Sequence, residues 1–217
     1  MSSNILIVDD HKIVREGLKN LLLRKFKIEK IKEAQDGLGA LELVKKDFFK
    51  FIIMDISMPN LNGIDATKEI MSFSPESKII ILSMHSDKNY VFESLKAGAK
   101  GFLLKDCAFE ELLIALKTIS EGRIFLSAKI NDVVVSEFLN RNAPIEKGRS
   151  AFQLLTTRER EVLQLLTEGH STKEMAAKLD VSVKTIENHR QQLMEKLDIH
   201  SIAELTKYAI REGLTQL

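Results

Sequence analysis

The 217-residue chain has one cysteine, three prolines and ten glycines. A lone thiol, Cys107, excludes an internal disulfide framework and any multi-cysteine metal site, and it fits a reducing cytoplasm. So few prolines and glycines argue against low-complexity or disordered stretches. No apolar run approaches the roughly eighteen residues that a membrane helix needs, so no segment reads as membrane-spanning. The opening MSSNILIVDD has no basic region and only a short apolar run, so it does not read as a signal peptide. An excess of one charge is also missing. Residues 1–122 carry 18 Lys+Arg against 18 Asp+Glu, residues 123–151 carry 5 against 3, and residues 152–217 carry 9 against 10. Any nucleic-acid binding must therefore work without a strong general field.

What is present is periodic. Short apolar runs stand at Ile5–Val8, Ile28–Ile31, Phe51–Met54, Ile79–Leu82 and Gly101–Leu104. Four read as central parallel strands buried on both faces; the second, interrupted by Glu29 and Lys30, reads as an edge. Between them lie amphipathic stretches such as Ile13, Val14, Gly17, Leu18, Leu21 and Leu22, spaced at three and four. Five strands alternating with five helices predict a doubly wound α/β domain over residues 1–122. Residues 123–151 read as a linker with a short helix at about Ala128 to Leu139, followed by a polar stretch containing Pro144 and Gly148. From residue 152 only helical patterns remain. Thr156/Glu159, Ser171/Glu174 and Ser201/Glu204 have capping-box spacing, and Ser182 caps a further helix. Residues 152–217 are thus predicted as a small four-helix domain.

In a doubly wound sheet, ligands gather at the carboxyl ends of the strands. Asp9, Asp10, Asp55, Ser83 and Lys105 all fall at such ends. Like carboxylates sharing one site repel and need a cation, and hard oxygen ligands without a His or Cys cluster favour Mg²⁺. Mg²⁺ and a lysine beside a carboxylate suit phosphoryl transfer, with Asp55 as nucleophile and the Ser83 hydroxyl on a phosphoryl oxygen.

The stretches VDD (8–10), MDISMPNLNG (54–63), Ser83 and FLLK ending at Lys105 resemble the receiver domain of two-component response regulators. The resemblance implies a five-stranded sheet of flavodoxin-like order. It makes Asp55 the phosphoacceptor, with Asp10, assisted by Asp9, and the Ser57 backbone carbonyl as metal ligands. Ser83 and Phe102 become the hydroxyl–aromatic pair that changes rotamer on phosphorylation. Beyond its own phosphoryl transfer and slow dephosphorylation, no enzyme activity is implied. Asp106 stands where many relatives have proline after the lysine. Ser57 and His85 occupy positions that modulate hydrolysis of the acyl phosphate. His11 reads as a helix N-terminal residue and Cys107 as a buried structural thiol.

In KEMAAKLDVSVKTIENHRQQLMEKLDI a helix to Leu179, a tight DVS turn and a helix from Val183 have helix-turn-helix spacing. With Ile186 at the centre of the inner face, Val183, Arg190, Leu193 and Leu197 fall on or near that side. Lys184, Asn188, Gln191 and Glu195 face outward, with Glu187 and Gln192 at the edges. Asn and Gln are bidentate readers of adenine. The segment from Leu155 to Ile199 resembles the LuxR-type effector domain. The order receiver, linker, effector resembles the NarL/FixJ class of response regulators. By that resemblance Glu187, Asn188 and Gln191 enter the groove, flanked by Thr185 and Gln192, while Lys184 and Arg190 approach phosphates. Ile202, Leu205 and Ala209 of the last helix resemble a dimer contact, and His189 reads as structural. The implied partners are a sensor histidine kinase, double-stranded promoter DNA and a second copy of the chain on phosphorylation; the implied setting is the cytoplasm, with no membrane. Two other readings stay open: a Mg²⁺-dependent phosphohydrolase, and a DNA-binding protein whose receiver docks without phosphate.

Overall fold

The computed structural model describes residues 4–25, 30–84, 86–139 and 151–215. The chain divides into two compact units, residues 1–58 with 62–145 and residues 59–61 with 146–217.

The first unit is built on β1 (Asn4–Val8), β2 (Lys30–Ala34), β3 (Phe51–Asp55), β4 (Lys78–Ser83), β5 (Gly101–Leu104) and β6 (Phe125–Leu126). They form one parallel sheet in the order β2-β1-β3-β4-β5-β6. Its helices are α1 (Lys12–Lys25), α2 (Gly37–Lys46), α3 (Gly63–Phe73), α4 (Lys88–Ala97), α5 (Ala108–Ser120) and α6 (Ala128–Leu139). Strand side chains alternate between faces. Ile5, Ile7, Phe51, Ile53, Ile80, Leu82 and Leu103 pack with Leu18 and Leu22 of α1 and Leu112, Ala115, Leu116 and Ile119 of α5. Leu6, Ile52, Met54, Ile79, Ile81 and Phe102, also fully or almost fully buried, belong to the opposite face by that alternation. Burial on both faces is why the central strands are continuous apolar runs.

The sequence reading requires three corrections here. The edge strand runs over Lys30–Ala34 rather than 28–31; residues 28 and 29 lie outside the described residues. Ile31 of this strand packs against the α1/α5 core and Ala34 is buried, but the strand is only partly covered; parallel pairing with β1 from Asn4↔Lys30 to Val8↔Ala34, not an apolar run, defines it. The sheet has a sixth strand in the segment expected to be linker. Two apolar residues are too short a signal to see, but Phe125 N–H donates to Lys100 O at 3.0 Å and Ser127 N–H to Phe102 O at 3.0 Å. The helix that follows has the expected bounds, and the Pro144–Gly148 stretch lies outside the described residues. Finally Ile13, counted on the apolar stripe of α1, is 82% exposed.

The second unit comprises α7 (Ala151–Leu154), α8 (Thr157–Thr167), α9 (Thr172–Lys178), α10 (Val183–Leu197) and α11 (Ile202–Arg211). The capping boxes at Thr156 and Ser171 both form, and Ser182 Oγ accepts from Thr185 N–H at 3.0 Å. Ser201 is the N-cap of α11 but makes no side-chain cap hydrogen bond; both it and Glu204 are exposed, where water can serve the first N–H groups. Glu159 does more than cap. Its carboxylate also receives Lys196 Nζ of α10 at 2.7 and 2.8 Å. Burial opposes its ionisation, but Lys196 and the Thr156 N–H outweigh that and hold the carboxyl below its ordinary range. Ile186 and Leu193 of α10 and Leu205 and Ala209 of α11 are fully buried, with α10 and α11 both packed on α8.

Candidate functional site

Because β1 and β3 are neighbours in parallel register, the residues just past or at their ends, Asp9 and Asp55, meet at one edge of the sheet. Both carboxylates are buried. From the end of β5, Lys105 Nζ lies 2.7 Å from Asp55 Oδ2 and 2.9 Å from Asp9 Oδ2. Its own N–H donates to Ser83 O at 2.8 Å, which ties the lysine to the end of β4. One donor atom from each of Asp9, Asp10, His11 and Asp55 lies within 4.8 Å of the others. His11 Nδ1 is 2.6 Å from Asp10 Oδ1, and the His11 N–H donates to Asp9 Oδ1 at 2.8 Å, so this residue belongs to the acidic loop as well as to the start of the helix.

The electrostatics are unbalanced. Burial, then the charges of Asp9 and Asp10, push the Asp55 carboxyl up to about 7 against the opposing pull of Lys105. Lys105 is itself held above its ordinary value: burial works against it, and Asp55 followed by Asp9 outweigh that burial. Asp9 Oδ2 is sealed from solvent and, although the ammonium is close, has no aligned hydrogen bond. Three carboxylates, a single lysine and an unsatisfied buried oxygen are what a hard divalent cation would complete. The donor set therefore fits a metal ion.

The backbone around the nucleophile is tightly packed. Gly63 N–H donates to Ile56 O at 2.8 Å, and a Cβ on Gly63 would stand 1.8 Å from the Asp55 carbonyl oxygen. Asn62 caps the same helix by accepting from Ile64 and Asp65 N–H, at 3.1 and 3.0 Å. The role of the Asn62–Gly63 pair emerges only from this packing, since neither residue bears a group that the phosphoryl chemistry requires. Ser57 lies in the bend after β3 and is buried. Ser83 and Phe102 are both buried; they end and line neighbouring strands β4 and β5. His85 lies outside the described residues. The Lys105–Asp106 bond is trans. Cys107 is half-buried, not enclosed as expected, because it is the N-cap of α5 and the helix's buried face begins only at Ala108.

In the second unit, α9 and α10 are joined through Asp180, whose φ of 50° makes the tight turn. Lys184, Glu187, Asn188, Gln191, Gln192 and Glu195 are exposed along α10, and Thr185 is half-buried. An open groove of about 310 Å³ beside them is lined by Glu187, Arg190, Gln191, Met194, Glu195 and His200. Val183, placed on the inner side by period, is 40% exposed; it opens the first turn of α10, and the buried face begins at Ile186. Arg190 is half-buried and donates to Thr172 Oγ1 at 3.1 Å. His189 is half-buried, with Nδ1 enclosed and unbonded. Of the three residues assigned to a dimer contact, Leu205 and Ala209 are fully buried on a helix that packs on α8, and only Ile202 is exposed.

Each unit matches a known family. The response regulator receiver domain matches residues 5–117, and the luxR family of bacterial regulatory proteins matches residues 153–209. The chain belongs to the response regulators. It is 38% identical over 215 residues to the oxygen regulatory protein NreC of Staphylococcus epidermidis, covering 98% of this chain and 99% of that protein. Among solved structures, the RcsB response regulator of Salmonella typhimurium superposes with a TM-score of 0.66 at 28% identity, over 99% of each chain. RcsB from Salmonella enterica serovar Typhimurium bound to a promoter in the presence of the phosphomimetic BeF₃⁻ gives a TM-score of 0.61 at 27% identity, over 99% of this chain and 100% of that one. A receiver followed by a LuxR-type DNA-binding domain is the architecture of the NarL/FixJ class. No helix among the described residues is long and apolar enough to cross a membrane.

Proposed function

We propose that this response regulator switches DNA binding by accepting a phosphoryl group on Asp55. The observation that carries the reading is the buried Asp55 carboxylate, 2.7 Å from Lys105 and grouped with Asp9 and Asp10. A carboxylate oxygen of Asp55 attacks phosphorus, the bond to the donor breaks, and an acyl phosphate forms as the donor group leaves with its electron pair. The donor is the phosphohistidine of a sensor kinase. Asp9, Asp10, Asp55 and the Ser57 carbonyl would hold Mg²⁺, which when bound would supply positive charge against that developing on the phosphoryl oxygens. Lys105 supplies a second, fixed positive charge. The Ser83 hydroxyl follows the new phosphoryl oxygens, and Phe102 moves with it, biasing a two-state receiver.

Phosphorylation then pairs two chains, and two helix-turn-helix units one DNA turn apart bind a near-palindrome in promoter DNA. Glu187, Asn188, Gln191 and Gln192 read bases, while Lys184, Thr185 and Arg190 contact the backbone. Pairing offsets the absence of a strong positive field. The chain turns over no external substrate: besides taking and slowly losing its own phosphate it is a regulator, working in the cytoplasm. RcsB bound to a promoter in the presence of a phosphomimetic supports the link between the phosphorylated receiver and DNA binding.

The test is intact mass after incubation with Mg²⁺ and acetyl phosphate, beside Asp55→Ala, followed by light scattering. One phosphoryl adduct confined to the wild type, with a shift toward dimer, is expected. Steady phosphate release without an adduct overturns the reading in favour of a hydrolase.

A further inference from the structure

Arg15 is a charged side chain on α1 that the fold conceals, with only 8% of its side chain exposed. Nη1 donates to the backbone carbonyl of Asp9 at 2.7 Å and of Asp10 at 3.3 Å. Nε donates to Glu33 Oε2 on β2 at 3.3 Å, and the other Glu33 oxygen receives Lys19 at 2.7 Å. A planar guanidinium can serve two carbonyls and a carboxylate at once; an ammonium on a flexible stem cannot hold that fork.

Two further tethers of the loop fall on Asp9. Asp9 N–H donates to Ala34 O at 3.3 Å, and Asp9 Oδ1 accepts the His11 N–H. With its N–H, its carbonyl and Oδ1 all held, the other carboxylate oxygen of Asp9, Oδ2, faces Lys105 Nζ at 2.9 Å. Arg15 touches neither the carboxylates nor Lys105. It acts on the peptide planes that carry them.

The geometry points to Arg15, held in place by Glu33, as a positioning residue that presets the Asp9 and Asp10 carboxylates for the cation. The assignment rests on the proposed reading of the acidic cluster as the Mg²⁺ and phosphoryl site. A buried ion pair could equally serve stability alone, and the two roles separate in the measurement. Groups that orient metal ligands change metal affinity by about 10–100-fold when altered, whereas a purely structural pair changes only the melting point.

The experiment is isothermal titration of the full-length protein with Mg²⁺, run on wild type, Arg15→Lys and Glu33→Gln, with each melting temperature taken without metal. The expected result is a Mg²⁺ dissociation constant about ten-fold or more weaker in Arg15→Lys, per folded molecule, and a smaller loss in Glu33→Gln. The double variant should lose less than the product of the single losses, because both act through one guanidinium. Should Arg15→Lys not fold, Glu33→Gln, changed at a partly exposed carboxylate, carries the same comparison. Variants that melt earlier but bind Mg²⁺ like the wild type overturn the positioning role while leaving the site reading intact. A wild type that takes up neither Mg²⁺ nor, by intact mass, a phosphoryl group overturns both.

Discussion

The two units treat charge in opposite ways. In the receiver, Asp9, Asp55 and Lys105 are pressed together out of solvent, and the carboxylates outnumber the lysine. On α10 the polar side chains stand in water and are only lightly occupied: Lys184 lies 3.5 Å from Glu187, and Gln191 donates to Glu195 at 2.9 Å. Low-dielectric surroundings make each added or removed charge in the first site worth several times what it is worth in the second. A switch benefits from that sensitivity. A reading surface benefits from its absence, since side chains that must leave their neighbours for a base edge should be cheap to move.

The largest effect is expected from neutralising the buried site. Asp55 titrates at about 7 in the folded chain against an ordinary 3.8. Between those values the folded state holds a proton that the unfolded state has lost, so stability falls as pH rises through that window, and the full cost is present above it. Asp55→Asn removes that cost. Without Mg²⁺ it should be more stable than wild type at pH 8 by up to roughly 4 kcal/mol, and close to wild type near pH 4. Mg²⁺ should raise the wild-type melting point more at pH 8 than at pH 6, and raise that of Asp55→Asn less. Melting curves across pH with and without Mg²⁺ decide it; a wild type insensitive to pH in that window would mean that the cluster is not frustrated.

A smaller effect comes from the backbone beneath the same carboxylate. Gly63→Ala sets a methyl group 1.8 Å from the Asp55 carbonyl oxygen, where no flexible side chain can yield. The expected loss is at the upper end of about 1–3 kcal/mol, with acetyl phosphate labelling of the folded fraction strongly reduced. Denaturant titration and intact mass check the two halves of that statement. Unchanged labelling would show that the Asp55 position tolerates a displaced strand end.

What could be foreseen follows from the same physics. Asp9, Asp10, Asp55 and Lys105 were legible because each ends an apolar run, and strand ends of a doubly wound sheet converge. Asn188 and Gln191 were legible because helical period alone puts them opposite Ile186. Arg15 was not, since its partners are backbone carbonyls that leave no trace in side-chain pattern. Strand β6 escaped because pairing with β5, not hydrophobicity, defines it. The inward turn of Leu205 and Ala209 escaped because an apolar stripe looks the same whether it packs within the chain or against a copy.

On the exposed side the prediction is a loss of function without a loss of fold. Asn188→Ala and Gln191→Ala should each reduce discrimination at one base pair by about 1–3 kcal/mol. Their stabilities should stay within about 0.5 kcal/mol of wild type, because neither residue is buried. Binding is measured on DNA that the phosphorylated wild type selects from a random pool. A large stability loss at either position would make α10 a packed element rather than a reader.

The smallest contrast lies within the second unit, between two caps of the same sequence type. Thr156 Oγ1 accepts from Glu159 N–H at 3.3 Å, and the Glu159 carboxylate returns to the Thr156 N–H at 2.8 Å while also holding Lys196 of α10. Ser201 has the same spacing to Glu204 and none of these bonds. Thr156→Ala should therefore cost about 0.5–2 kcal/mol, and Ser201→Ala no more than a few tenths. The gap between them should widen as pH rises from the acid side. Glu159 is held below its ordinary range, so its contribution is present above the unfolded carboxyl value and is lost as pH falls through the lower folded one. Urea denaturation of both variants at pH 3 and pH 7 measures this gap. Equal costs at pH 7 would mean that the box is a spacing without an interaction, and that α8 owes its start to packing alone.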